Sequence, residues 1–310
     1  MNDEIFCSVV IPVHNEEKNI AELCSRLTGV LAALNKPYEI IYVNDGSTDS
    51  SADILHKISA LDKKVKIVDF SRNFGHQIAI SAGISYASGN VTVVMDGDLQ
   101  DSPALIPEFV KKWEEGFFVV YGIRKKRKEA FFKRACYFIF YRIQEKIAKI
   151  KIPLDAGDFC LMDKKITDIL KKMPERNRFV RGIRSWIGFS QIGIEYERDP
   201  RFCGKPKYGL RKLMRLAFDG IYSFSDIPLK ISLIFGFTIS AFCFAFIIYI
   251  ICQRLIYGTS AYGITTAIVS MLFLGGIQLI AIGVIGEYIG RIYDEVKQRP
   301  IFIVKQLINF

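Results

Sequence analysis

Two uncharged runs near the C-terminus decide what this chain can become. Ile231 to Ile251 is 21 residues without a charge, and Ile264 to Ile285 is 22, with Gln278 as its one strongly polar member. At a rise of about 1.5 Å per residue each makes a helix about 30 Å long, enough to cross a bilayer. The alternative is a pair of buried core helices, which rarely need 21 uncharged residues. The twelve-residue connection holds one base, Arg254. Arg211, Lys212, Arg215 and Lys230 precede the first run, and Arg291, Lys297, Arg299 and Lys305 follow the second. This bias places both termini in the cytoplasm. Leu210 to Tyr222 sets Leu213, Leu216, Ala217 and Ile221 against Arg211, Lys212 and Arg215. That is the pattern of a helix lying on an anionic leaflet.

The N-terminal two thirds follows a different rule. Phe6 to Val13, Tyr38 to Val43, Val65 to Phe70 and Val91 to Met95 are short apolar runs bounded by polar clusters. Between them, apolar residues recur at helical spacing, as in Ile20, Leu23, Leu27, Leu31 and Leu34. A further helix fits from about His76 to Ala87, and Phe117 to Gly122 reads as another strand. Strand alternating with helix predicts an α/β fold with a doubly wound, mostly parallel sheet. Beyond it, a basic, aromatic helix fits around Phe131 to Lys149.

The net charge of +10 is unevenly spread, with eleven Lys/Arg against two Glu in Arg124 to Lys151. Nucleic acid, anionic lipid and phosphorylated substrates all suit such blocks, but no nucleic-acid reading module accompanies them, so no nucleic-acid partner is expected. Seven scattered cysteines without a C-x-x-C pair speak against a disulfide framework or a zinc site. Met1 to Phe6 carries two acids and no basic, apolar leader, so no signal peptide is expected.

The chemistry gathers at strand ends. Val91 to Met95 stops abruptly in Asp96, Gly97, Asp98, Gln100 and Asp101. A buried strand cannot carry three carboxylates into its core, so they belong at its carboxyl end, where open α/β sheets hold ligands. Oxygen ligands at i and i+2 suit Mg²⁺ or Mn²⁺ shared with substrate phosphates. An acidic turn capping the next helix is the plainer reading. Pro12 to Glu17 and Asn44 to Asp49 come to the same edge, where Asp45 can accept from an exocyclic N–H of a base and backbone near Pro12 can pack its ring. A tight turn plus a helix cap is again the plainer reading of Asn44 to Ser47. Neither G-x-x-x-x-G-K-[ST] nor G-x-G-x-x-G occurs.

Val10-Ile11-Pro12-Val13-His14-Asn15-Glu16-Glu17, Val43-Asn44-Asp45-Gly46-Ser47, Arg72-Asn73-Phe74-Gly75 and Asp96-Gly97-Asp98-Leu99-Gln100-Asp101 together resemble glycosyltransferase family 2. The likeness is greatest to its polyprenyl-phosphate branch, which includes bactoprenol-phosphate glucosyltransferases and dolichol-phosphate mannose synthases. It continues through Gly157-Asp158-Phe159, Pro174-Glu175-Arg176, Arg178-Phe179, Arg201-Phe202, Lys207-Tyr208 and Gly286-Glu287-Tyr288. One departure is His76, where a Lys is more usual.

The resemblance implies a GT-A-like nucleotide-sugar domain over 1–205, amphipathic interfacial helices over 206–230, a transmembrane hairpin over 231–290 and a cytosolic tail over 291–310. It implies that Pro12, Asn15, Glu17, Asp45, Asp96 and Gly97 bind the nucleotide sugar, with Asp45 at the uridine. Asp98, with Asp96 and Gln100, would hold the divalent cation. Asp158 falls where relatives carry an acidic residue thought to act as base; its plainer reading is a helix cap or an ion pair with Arg178 or Arg181. Arg178, Arg201 and Lys207 would meet phosphate. The implied partners are UDP-glucose, undecaprenyl phosphate, the bacterial inner membrane, further copies of the chain as a tetramer, and a flippase for the product. The expected reaction is inverting transfer of one hexose on the cytoplasmic face. A processive polysaccharide synthase is disfavoured, because two spans form no conduit and Gln-x-x-Arg-Trp is missing. A non-catalytic sugar-nucleotide scaffold is the other alternative, disfavoured by the intact carboxylates.

Overall fold

The structure, a computed structural model, describes residues 4–125, 156–176, 178–197, 227–257 and 263–310. The helices expected around Phe131 to Lys149 and Leu210 to Tyr222 lie outside these residues, as do Arg201 and Lys207. The chain divides into two compact units, Met1–Leu216 with Arg299–Phe310, and Ala217–Gln298.

The first unit is built on strands β1 (Cys7–Val13), β2 (Tyr38–Asn44), β3 (Val65–Phe70), β4 (Val91–Val94), β5 (Val119–Lys125), β6 (Ala156–Asp163), β7 (Gln191–Glu197) and β8 (Val304–Ile308). They form one sheet in the order β7-β5-β6-β4-β1-β2-β3-β8. β4, β1, β2 and β3 run parallel. β6 is antiparallel to both β4 and β5, and β8 is antiparallel to β3. The helices are α1 (Ile20–Ala33), α2 (Ser51–Leu61), α3 (His76–Tyr86), α4 (Ile106–Glu114), α5 (Lys164–Lys172) and α6 (Val180–Trp186).

Every residue of β1 and β2 is buried, as expected of central strands covered on both faces. Val9, Ile11 and Val13 face a core completed by Leu23, Leu27 and Leu31 of α1 and Ile106, Phe109 and Val110 of α4. Val10 points the other way and meets α3 at Gly83, where an added β-carbon would fall 2.2 Å from Val10 Cγ1. The sheet is therefore wound on both sides. Because β2 and β4 flank β1, the chain reverses direction across the sheet there. The carboxyl ends of β1 and β4 open onto the crevice where such sheets bind ligands.

The stretch expected as a tail contributes β8, an edge strand. Phe302 stacks on Phe70 with centroids 5.3 Å apart, and Asn309 Nδ2 donates to Ser59 O and Val65 O at 2.7 and 2.8 Å.

The second unit is α7 (Ile227–Tyr257) and α8 (Ile264–Val296). Both are long and apolar enough to cross a membrane, over Ile227–Gln253 and Ser270–Val296. Their large apolar side chains face outward: Phe237 is 71% exposed, Phe242 72% and Met271 78%. Helices of a water-soluble core would bury those groups.

Candidate active site

The turns after β1 and β2 are laced together by side-chain-to-backbone bonds. Asn15 takes a positive φ of 54° and donates its N–H to Ser47 Oγ at 3.1 Å, while its Oδ1 accepts from Thr48 N at 2.8 Å. Glu16 N donates to Ser51 Oγ at 2.9 Å, and Ser50 N donates to Glu17 Oε2 at 3.2 Å. Asn15 and Glu17 thus tie the turn after β1 to the start of α2, satisfying amides there.

Asp45 is buried, and its carboxylate turns to the Arg-Asn-Phe-Gly loop. Oδ1 accepts from Phe74 N at 2.6 Å, and Oδ2 accepts from Gly75 N at 3.0 Å. The backbone approaches closely here. Gly46 has a φ of 60°, and a β-carbon on it would lie 2.6 Å from Arg72 C and Asn73 N. Only glycine fits that contact.

At the end of β4, Gly97 lies against β1, where an added β-carbon would meet Pro12 O at 3.1 Å. Leu99 takes a φ of 59°, and Gln100 N donates to Asp98 Oδ1 at 3.2 Å. Tyr196 Oη donates to Asp101 Oδ1, which anchors the fully buried Asp101 to β7. Burial pushes the Asp96 carboxyl up to about 6; His76 opposes the rise, and the charges of Asp101, Asp158 and Asp98 add to it.

Across the crevice, Asp158 sits at the start of β6. Gln77 Nε2 donates to its Oδ2 at 3.0 Å, and Arg181 Nη2 donates to its Oδ1 at 3.2 Å. His76 Nε2 stands 3.5 Å from Asp158 Oδ2 and 3.4 Å from Asp96 Oδ1, between the two carboxylates. Burial alone would raise the Asp158 carboxyl. Arg181 and His76 outweigh it and hold the group well below the usual carboxylate range. The same carboxylates push His76 up to about 9 against the opposing effect of burial. At neutral pH this is a cation between two anions.

Asp45, Asp96, Asp98 and Asp158 all come to the one sheet edge, along with Pro12 and Gly97. Arg178 has a different place: its Nη1 donates to Leu170 O at 3.0 Å and its Nη2 to Met173 O, at the C-terminal end of α5. Those are carbonyls a helix leaves unpaired. From sequence, Gln77 is not a site candidate, and Arg181 is one of the two arginines expected to pair with Asp158 in its plainer reading, which is the contact found. Gln77 also accepts from Val180 N at 3.0 Å, joining α3 to α6. The only signal for Gln77 is its position beside the Arg-Asn-Phe-Gly motif.

The donor set fits a hard divalent cation. All its groups are oxygens, the donors such an ion prefers. Among the described residues no group of three or more His, Cys, Asp or Glu encloses an ion.

The family model "Glycosyl transferase family 2" matches residues 8–170. An uncharacterized glycosyltransferase, YkcC, of Bacillus subtilis is 48% identical over 307 residues, covering 99% of this chain and 95% of its own. An SfII prophage-derived bactoprenol glucosyl transferase of Shigella flexneri is 40% identical over 302 residues, covering 96% and 97%. A prophage bactoprenol glucosyl transferase homolog of Escherichia coli is 38% identical over 301 residues, covering 97% and 98%. A matched sheet domain and relatives aligned along nearly the whole length, hairpin included, lead to one statement: the chain belongs to glycosyl transferase family 2 and is a glycosyltransferase.

Proposed function

We propose that the protein transfers one glucose from UDP-glucose to undecaprenyl phosphate on the cytoplasmic face of a bacterial membrane, with inversion at the anomeric carbon. The observation that carries this reading is the meeting of Asp45, Asp96, Asp98 and Asp158 at one sheet edge, in a chain that also owns two outward-apolar helices. Relatives named as bactoprenol glucosyl transferases, matched over both parts, support the substrate pair.

In this reading the uracil packs near Pro12 and Asp45, and Asp96, Asp98 and Gln100 hold a divalent cation. When bound, the cation neutralises charge developing on the departing diphosphate. The acceptor is a phosphate monoester with a second pKa near 6, so it arrives already as an oxyanion. A strong base is unnecessary, and Asp158, held ionised by Arg181 and His76, is a poor proton acceptor. Asp158 orients Arg181, and Arg181 with Arg201 and Lys207 receives the lipid phosphate. The hairpin α7–α8 keeps the enzyme at the bilayer, with both termini cytoplasmic.

The test is incubation of membranes carrying the protein with labelled UDP-glucose, Mg²⁺ and undecaprenyl phosphate. A lipid-extractable, mild-acid-labile product bearing one sugar is expected. A polymer would point to a processive synthase, and no product with any nucleotide sugar would point to a scaffold.

A further inference from the structure

A chain of hydrogen bonds, buried at its Asn44–Asp69 link, runs from the protein surface to the turn that carries Asp45. His56, on α2, has a side chain 39% exposed, and its Nε2 lies 2.6 Å from Asp69 Oδ2. Asp69 offers only acceptors, so the imidazole donates through Nε2. Asp69 Oδ1 accepts from Asn44 Nδ2 at 2.9 Å. Asn44 and Asp69 are register partners on β2 and β3, and each residue is 5% exposed. Asn44 Oδ1 in turn accepts from Ser47 N at 3.1 Å, and Ser47 Oγ accepts from Asn15 N.

The chemistry of the carboxamide gives this chain a direction. Asn44 has one donating end and one accepting end, and both cannot be right by chance in a buried site. A carboxylate on β3 forces the NH₂ toward Asp69 and therefore the oxygen toward Ser47 N. Rotating the amide would leave the Ser47 amide facing a donor and the Asp69 oxygen facing an acceptor. His56 fixes the second oxygen of Asp69 and so the plane of the carboxylate. The turn thus held, Asn44 to Ser47, carries Asp45 and packs against Arg72 and Asn73 with no room for a β-carbon at Gly46.

We infer that His56 and Asp69 are positioning residues for the donor nucleotide: through Asn44 they preset the Asn44–Ser47 turn, although neither reaches the ligand. This rests on the reading of that turn as the UDP-binding edge. Neither residue belongs to the motifs that carry the family resemblance, and no step of the transfer uses them.

The experiment compares full-length wild type, H56A, D69A, D69N and H56A/D69A in detergent by UDP titration, sugar-transfer kinetics and hydrogen–deuterium exchange over residues 44–51. Losing one buried link weakens UDP binding roughly tenfold in D69A and raises KM for the sugar nucleotide, with kcat nearly unchanged. D69N recovers most of the loss, because its carbonyl still accepts from Asn44 and its NH₂ is accepted by the other His56 tautomer. The double variant is no worse than D69A, as links of one chain must behave. Faster exchange over 44–51 accompanies the loss. Additive effects of H56A and D69A, or unchanged exchange and UDP affinity in both, overturn the relay. If D69A fails to fold, H56A at the exposed end gives the same decision. Faster exchange in the variants, with no UDP binding by wild type, overturns the donor reading and with it the positioning role.

Discussion

Arg181 Nη2 donates to Asp158 Oδ1 at 3.2 Å, and this pair decides what Asp158 can do. A carboxylate held ionised by a guanidinium cannot readily take up a proton, but it can fix that guanidinium. R181A is expected to raise KM for the lipid phosphate at least about tenfold, in line with loss of a charge-assisted bond. D158N should lower activity yet keep the acidic limb of the pH–rate profile, while any basic limb set by His76 moves to lower pH. A profile that loses its acidic limb in D158N would restore Asp158 as a base.

His76 holds its proton more tightly folded, at about 9, than the ordinary 6.5 of the unfolded chain. Its stabilising contribution is therefore complete below about 6.5 and is lost as pH rises through about 9. Melting curves of wild type and H76A should differ most near pH 6, with the gap closing as pH passes about 9. H76K, which restores a cation beside Asp96 and Asp158, should retain more transfer activity than H76Q. Equal activity in the two would show that charge at this position is idle.

Asp98 is 7% exposed, and its Oδ1 already accepts from Gln100 N. D98A is expected to lower kcat by a hundredfold or more, on the order of losing a principal stabiliser of leaving-group charge, while far-UV dichroism stays that of wild type. A folded D98A with wild-type turnover removes Asp98 from cation binding.

At the opposite end of β2, the buried Glu39 pairs with a partly exposed Lys66. Its Oε2 lies 2.6 Å from Lys66 Nζ, and its Oε1 accepts from Ser8 Oγ at 2.5 Å and from Ser88 N at 2.8 Å. Burial would raise this carboxyl, but Lys66, Ser8 and Ser88 bring it below its ordinary 4.5. The stabilisation is present above about 4.5 and falls away as pH drops through the lower folded value. E39A leaves Ser8 and Ser88 without their acceptor and Lys66 without its partner, and is expected to cost about 1–3 kcal/mol. Acid unfolding monitored by tryptophan fluorescence should show the wild-type advantage shrinking as the pH falls.

The four parallel strands were legible because each is a β-branched run that stops at a polar cluster, and the cluster itself announced the ligand edge. The expected Val65 to Phe70 strand is β3 to the residue, and expected Tyr38 to Val43 stops one residue short of β2. β6 was not legible: it opens on Ala156-Gly157-Asp158, which reads as a turn, and it pairs with β4 from 60 or more residues away. β8 was hidden because Val-Lys-Gln-Leu-Ile is too short and mixed to outweigh the basic flank around it. In the site, the carboxylates declared themselves and Arg181 was one of two arginines offered to Asp158, but nothing pointed to the partners of Asp45. Asp45 is answered by backbone N–H groups 29 and 30 residues away, and Asp158 by an arginine 23 residues on. Amides carry no side-chain signature, and a distant ion pair has no spacing rule.

Strand β8 turns the apolar hairpin into an excursion inside the sheet domain instead of an appendage behind it. The polypeptide leaves after residue 216 and comes home at Arg299 to cover the edge of β3. Cutting the protein after Val296 would strip that edge and leave a row of unpaired peptide groups, a template for self-association. A soluble catalytic fragment would need Val304–Ile308 spliced back through a short linker, and ending the chain ahead of the greasy segment would yield aggregates.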